Sequence, residues 1–195
     1  MVTFRSATCG VAFKEWAGIC DALSDGRQAL LLRKGGIRES GGAGGFVPEY
    51  REFWLYPTWS HQAEQGLRTA GSSAPPAHAA AGDRAVPISA LVDVELIGYV
   101  ETEEALRALE PFHQFTTQTI FQRFHYRRPG LWALSARVWR RDRPFILAPT
   151  PEQAGCKTWA LLEKPLPTTG VEPVLTDDQW TKTRDRLRSI LDREH

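Results

Sequence analysis

The sequence predicts an α+β fold, a small mixed or antiparallel sheet or a partly open barrel with flanking helices and a C-terminal amphipathic helix. Three observations predict it. Apolar runs of strand length are separated by Gly/Pro turns, short helical patterns with polar caps lie between them, and the C-terminal segment carries one apolar stripe at helical spacing. The chain has 195 residues, 42% hydrophobic and 24% charged, with a net charge of +1. That mix excludes fibrous and wholly disordered architectures, and near-neutrality excludes a uniformly basic coat, so any polyanion site must be a local patch.

Taken in order, Ala12, Trp16, Ile19, Cys20 and Leu23 recur at helical spacing and predict a first helix over Val11–Leu23, stopped by Ser24-Asp25-Gly26. Ala29–Leu32 reads as a short buried strand that ends in Arg33-Lys34. Six of the eleven residues from Gly35 to Gly45 are glycine, a loop signal. Phe53–Tyr56 is a strand that Pro57 closes. Between Gly66 and Pro87 the composition turns to Ala, Gly, Ser and Pro, which predicts a mobile loop.

Ile88–Val100 reads as one β-branched strand, followed by a short helix that Thr102 caps and that ends near Leu109–Pro111. A second short helix spans Thr117–Phe124 and leads into the turn Arg127-Arg128-Pro129-Gly130. Leu131–Trp139 is a strand whose core side is Trp132, Leu134, Ala136 and Val138, leaving Arg137 outward. Pro165–Pro173 reads as a stiff connector, and Thr176 with Gln179 as a capping box that opens a helix to about Arg193 with the stripe Trp180, Leu187, Ile190, Leu191. The predicted organisation is one α+β domain over residues 1–164 with its mobile loop at about 66–87, then a connector and helix over 165–195.

Cys9, Cys20 and Cys156 leave an odd thiol with no CxxC spacing, so neither a disulfide framework nor a zinc ribbon is predicted. The N-terminus lacks a signal-peptide pattern and no apolar run reaches spanning length, so a cytoplasmic protein without membrane contact is expected. The five histidines show no metal-ligand spacing, and the glycine loop is neither a P-loop nor GxGxxG. No metal and no cofactor are expected.

The charge is concentrated. Between Arg123 and Arg143 stand seven arginines and one acid, Asp142, a local net of +6, with Phe124, Tyr126, Trp132 and Trp139 interleaved. Guanidinium forks beside aromatic faces suit phosphates and unpaired bases. The competing account is internal ion pairing, since the chain has 19 Arg against 5 Lys and an acidic stretch at Asp93–Glu110. The segment Tyr56-Pro57-Thr58-Trp59-Ser60-His61-Gln62 sets aromatics beside side chains that read hydrogen-bonding edges. His61 with Cys156 would form a Cys/His nucleophile if the fold brings them together.

Four stretches in register carry a resemblance: Phe13-Lys14-Glu15-Trp16-Ala17, Leu30 to Ile37, Phe53 to Thr58 with His61-Gln62, and Gly155-Cys156-Lys157-Thr158-Trp159. The chain resembles the domain-of-unknown-function 1802 family over about Phe13 to Leu162, and that resemblance implies relatives but no chemistry. Gly26 to Arg33 is also similar to the GxKxxExR signature of ASCH domains, matching at Gly26 and Arg33. That likeness implies a PUA-like open barrel and ligands such as RNA or modified DNA. Gln28 stands at the motif's Lys and Leu31 at its Glu, so the amidohydrolase chemistry of some ASCH proteins is not implied.

The expected function is nucleic-acid binding, to RNA or to single-stranded or base-modified DNA. Arg33, Lys34, Arg123, Arg127, Arg128, Arg137 and Lys157 would hold phosphates, and Tyr56, Thr58, Trp59, His61, Gln62 and Trp159 would form the base pocket. One alternative is a small hydrolase or transferase acting on a phosphorylated or nucleoside-like molecule through His61 or Cys156. Another is an interaction module that dimerises through the Thr176–Arg193 helix.

Overall fold

The computed structural model describes residues 6–34, 46, 48–59, 66–68, 85–150, 153 and 157–194. Among these residues nine strands and four α-helices follow in the order β1 (Thr8–Trp16), α1 (Ala17–Ser24), β2 (Leu30–Arg33), β3 (Glu52–Thr58), β4 (Val86–Asp93), β5 (Ile97–Val100), α2 (Glu103–Ala108), α3 (Thr117–His125), β6 (Leu131–Ser135), β7 (Arg137–Leu147), β8 (Trp159–Pro167), β9 (Glu172–Pro173) and α4 (Asp177–Leu191). The predicted α+β class holds. A six-stranded mixed sheet has the order β8-β1-β3-β4-β7-β9, and a three-stranded antiparallel sheet has the order β2-β6-β5. Among the described residues neither sheet closes into a barrel.

The large sheet is apolar on both faces. Phe13, Phe53, Leu55 and Val92 face the three-stranded sheet and the helices in the main core, while Ala12, Trp54, Tyr56 and Leu91 form a second cluster on the opposite face. This explains the first departure from the sequence reading, which placed a helix from Val11. The chain is extended to Trp16, and helix begins only at Ala17. Because β1 lies between β3 and β8, consecutive residues Ala12 and Phe13 are both fully buried, which hides the two-residue alternation.

Two predicted long strands are each broken in two at one corner. Ile88–Val100 becomes β4 and β5, in different sheets, and Leu131–Trp139 becomes β6 and β7 in the same way. At the corner the Ser135 hydroxyl accepts from the amides of Glu95 (3.2 Å) and Leu96 (2.8 Å), and the Ala136 amide donates to the Ala29 carbonyl (2.9 Å). Crossing between sheets buries residues on either side of the strand, so Leu131, Ala133, Ser135 and Trp139 are as buried as the face expected inward. Ser135→Ala removes an acceptor shared by two amides at a fully buried position. A loss of about 2 kcal/mol in chemical denaturation is expected, and a loss under about 0.5 kcal/mol would show that the corner does not need that hydroxyl.

Pro57 sits inside β3 rather than ending it. It pairs across to Glu15 on β1, while the β4 ladder covers only Glu52, Phe53 and Trp54, so the missing N–H faces no partner strand. The Pro165–Pro173 stretch is also part of the sheet: Leu166 and Pro167 pair with Cys9 and Thr8, and Glu172 and Pro173 with Arg140 and Trp139. The Thr102 cap and the Thr176–Gln179 box follow the sequence, and Thr116 is a further cap. Thr102, Thr116 and Thr176 each accept an amide of the following turn, and Thr176 with Gln179 completes a reciprocal box.

The α4 helix turns Leu187 and Leu191 into the main core, and Leu191 meets β5 where Gly98 leaves room; a Cβ there would lie 3.1 Å from Leu191 Cδ2. The face expected to dimerise is thus packed on its own chain. No helix among the described residues is long and apolar enough to cross a membrane.

Candidate functional site

Parallel pairing brings the C-terminal ends of β1 and β3 together, with Trp16 opposite Thr58, and antiparallel pairing brings the start of β8 beside them, with Phe13 opposite Trp159. The end of β2 arrives at the same place through Arg33, whose guanidinium stacks on Phe13 at 4.7 Å, donates to the Lys14 carbonyl and approaches Glu15 Oε2 at 3.5 Å. The Thr58 hydroxyl donates to the Glu15 carbonyl at 3.1 Å. Two of the separated stretches singled out in the sequence therefore meet on one residue that sequence reasoning did not select.

Glu15 is the centre of this arrangement. Its side chain is only 2% exposed, and Oε1 accepts the Trp16 amide at 2.8 Å. The sequence reading placed Glu15 within an expected helix and gave it no role. Its place beside Trp16, at the end of an apolar run, was the available signal.

Arg123, projected from α3, stands at the same strand end. Its guanidinium lies over Trp16 at 4.3 Å and over Phe115 at 4.7 Å. Among the described residues no side chain or carbonyl hydrogen-bonds to it. Burial lowers its pKa; Glu15 opposes that shift and Arg33 adds to it.

Lys34 pins the next turn. Its Nζ donates to the carbonyls of Phe124 (2.7 Å), Arg128 and Gly130 (2.8 Å), capping the end of α3, and burial and Arg128 lower its pKa. The turn so held presents Tyr126, 55% exposed, together with exposed Arg127 and Arg128, and the Arg127 guanidinium lies 5.1 Å from the Tyr126 ring centre. No acid pairs with Arg127 or Arg128 among the described residues.

The remaining arginines of the predicted run go elsewhere. Arg137 stacks on Trp139 and is paired with Asp177 and, at 3.9 Å, with Glu95. Arg140 approaches Asp25 at 3.5 Å, and Arg141 stacks on Phe145 and donates to the Thr169 carbonyl. The run therefore divides into a group at the strand end and a β7 group in which Arg137, Arg140 and Arg141 are engaged by the fold while Arg143 is exposed.

Of the expected base pocket, Tyr56 is buried in the second cluster and burial raises its pKa, while Trp159 packs edge-on against Phe13, Tyr50 and Phe53. Trp59 is half-buried and lines a separate hollow of about 360 Å³ between α1 and the sheet, with Asp21, Pro57, Ser89, Arg140 and Asp142. Lys157 is exposed next to Thr158, whose carbonyl accepts the Lys14 amide at 2.8 Å. His61, Gln62 and Cys156 lie outside the described residues. Cys20 is buried, and burial, Glu15 and Asp21 hold its thiol well above the ordinary range despite Arg33, so the thiolate is disfavoured.

Gln28, at the position of the ASCH motif's Lys, is a buried structural amide that donates to the Leu30 carbonyl at 2.7 Å and accepts from the Gln114 amide at 3.0 Å. Among the described residues no three His, Cys, Asp or Glu side chains lie close enough together to hold a metal ion.

Fold and site together define a two-sheet α+β domain with a basic strand-end surface built around one buried carboxylate. The chain belongs to the family described as domain of unknown function DUF1802, which matches residues 12–186. Among solved structures it is similar to the ASCH protein from Zymomonas mobilis, at 12% identity over 90% of this chain and 93% of that chain, with a TM-score of 0.42. A single-substitution mutant of the same protein gives 10% identity, 90% and 94% coverage and a TM-score of 0.37. No residue role passes to this chain from likenesses at that level. No curated protein matches it.

Proposed function

We propose that the chain binds nucleic acid through the strand-end surface formed by Arg33, Lys34, Arg123, Arg127 and Arg128. The observation that carries this reading is the charge balance. Five cations share one neighbourhood, and among the described residues the one acid that pairs with any of them is Glu15, while the two outermost, Arg127 and Arg128, sit on a pinned, exposed turn beside Tyr126. Exposed guanidinium groups on a fixed backbone suit phosphate contacts, and a half-exposed tyrosine offers a face on which an unpaired base stacks. Single-stranded nucleic acid fits this layout better than duplex, because the aromatic face lies between the charges.

Filter binding of single-stranded RNA, single-stranded DNA, duplex and base-modified oligonucleotides over a salt series tests the proposal. The expected result is a linear fall of log K with log salt, with a slope of about −0.7 for each phosphate neutralised on a single strand. Substituting Arg127 and Arg128 together by Ala should weaken binding about tenfold and flatten the slope by about 1.4, the effect of two lost contacts. Binding that is absent, or flat against salt, overturns the reading.

A further inference from the structure

We propose that Arg33 and Arg123, set at the same strand end against Phe13 and Trp16, form a notch that receives the terminal phosphate of a nucleic-acid strand. The nature of the strand rests on the reading above; the need for an anion in the notch does not. A guanidinium offers five N–H donors and does not give up its charge, so one that is taken partly out of water requires acceptors. Arg123 is half-buried against Trp16 and Phe115 and meets no acceptor among the described residues. Arg33 has donors on the Lys14 carbonyl and near Glu15, yet its Nε is buried and meets no acceptor among the described residues.

Arg33 is ion-paired with Glu15, whose other oxygen accepts the Trp16 amide, while among the described residues no acid lies within ion-pairing distance of Arg123. One positive charge is left over at a site where burial makes it costly. Both groups are also held in place before any ligand arrives, Arg33 by Phe13 and Arg123 by Trp16 and Phe115. A fixed fork with spare donors matches the oxygens of a phosphate group.

A terminal phosphate suits the notch better than an internal one for two reasons. It carries a charge of about −1.5 to −2 at neutral pH with three free oxygens, which answers the uncompensated cation. It also protrudes from the strand, whereas an internal diester carries a sugar on each side and fits the exposed Arg127-Arg128 turn instead.

Fluorescence anisotropy with the full chain and one single-stranded sequence, ending in 5′-phosphate, 3′-phosphate or hydroxyls alone, tests this directly. One phosphorylated end should bind about tenfold tighter than the hydroxyl-ended strand. Arg123→Gln should bring that ratio to about one, and Arg123→Lys, which keeps the charge and loses the fork, should retain only a small part of it. The Arg127/Arg128 double substitution should weaken all three strands and leave the ratio intact.

Thermal melting separates binding from scaffolding. Arg123→Gln removes an uncompensated charge, so its melting temperature should equal or exceed that of the native chain; a clear drop would show a structural role and overturn the proposal. Equal affinity for all three ends, with salt-dependent binding intact, overturns the terminal-phosphate site and leaves the nucleic-acid reading standing. If no oligonucleotide binds, that reading fails. In that case inorganic phosphate that raises the melting temperature of the native chain but not of Arg123→Gln supports the anion notch, and a failure to do so overturns it as well.

Discussion

Replacing Glu15 by Gln is expected to destabilise the fold by about 3–5 kcal/mol, the range found when one partner of a buried charge group is removed. The amide keeps an acceptor for the Trp16 N–H, so the local backbone bond survives. What it cannot supply is charge. Arg33 would lose its ion-pair partner and Arg123 the carboxylate charge that favours its cationic form, and neither guanidinium can deprotonate to escape. Urea denaturation at neutral pH measures the effect. A second substitution, Arg123→Gln, should restore part of the loss, because it removes one of the two stranded charges. A loss under about 1 kcal/mol for Glu15→Gln alone would show that water already compensates the arginines.

The second large effect is at Gly130, which closes the turn after α3. Its φ of +123° lies where side chains with a Cβ are strained, and a Cβ built there would stand 2.5 Å from Tyr99 Oη and 2.6 Å from the ring carbon bearing it. The ring does not yield freely, since it packs edge-on against Trp132 at 5.2 Å. Backbone strain costs about 1–3 kcal/mol, and displacing the ring adds a term of similar size. Gly130→Ala should therefore lose about 3 kcal/mol or more.

The position also matters for the site. The Gly130 carbonyl is one of three that hold Lys34, so moving it loosens the turn that presents Arg127 and Arg128. In a background stable enough to stay folded, Gly130→Ala should weaken oligonucleotide binding although it touches no charged side chain. Unchanged stability would mean that the turn can take another path.

Helices with local signals were legible in the sequence. Thr102 and Thr176 mark the helix starts because a hydroxyl that caps an amide acts within one turn of chain. Strands that cross between sheets were not. The breaks at Val94–Leu96 and at Ala136 depend on Ser135 and on the Ala29 carbonyl, partners that are distant in sequence, and both faces of those strands are buried, so alternation carried no information.

The same limit applies to the site. Arg33, Lys34, Arg123, Arg127 and Arg128 were selected as a basic class, but their grouping around Glu15 follows from the pairing of β1 with β3 and from the placement of α3. Composition made Arg137 look equivalent to Arg127. Its partners Asp177 and Glu95 lie on elements that only the fold brings near.

Amide chemical-shift mapping of the full chain during titration with a single-stranded oligonucleotide tests the account most directly. The account expects the largest shifts at Trp16, at Arg33 and Lys34, and along Arg123 to Gly130, diminishing as salt is raised. Shifts confined to Arg140–Arg143 and the hollow beside Trp59, with the strand-end residues unmoved, would contradict it.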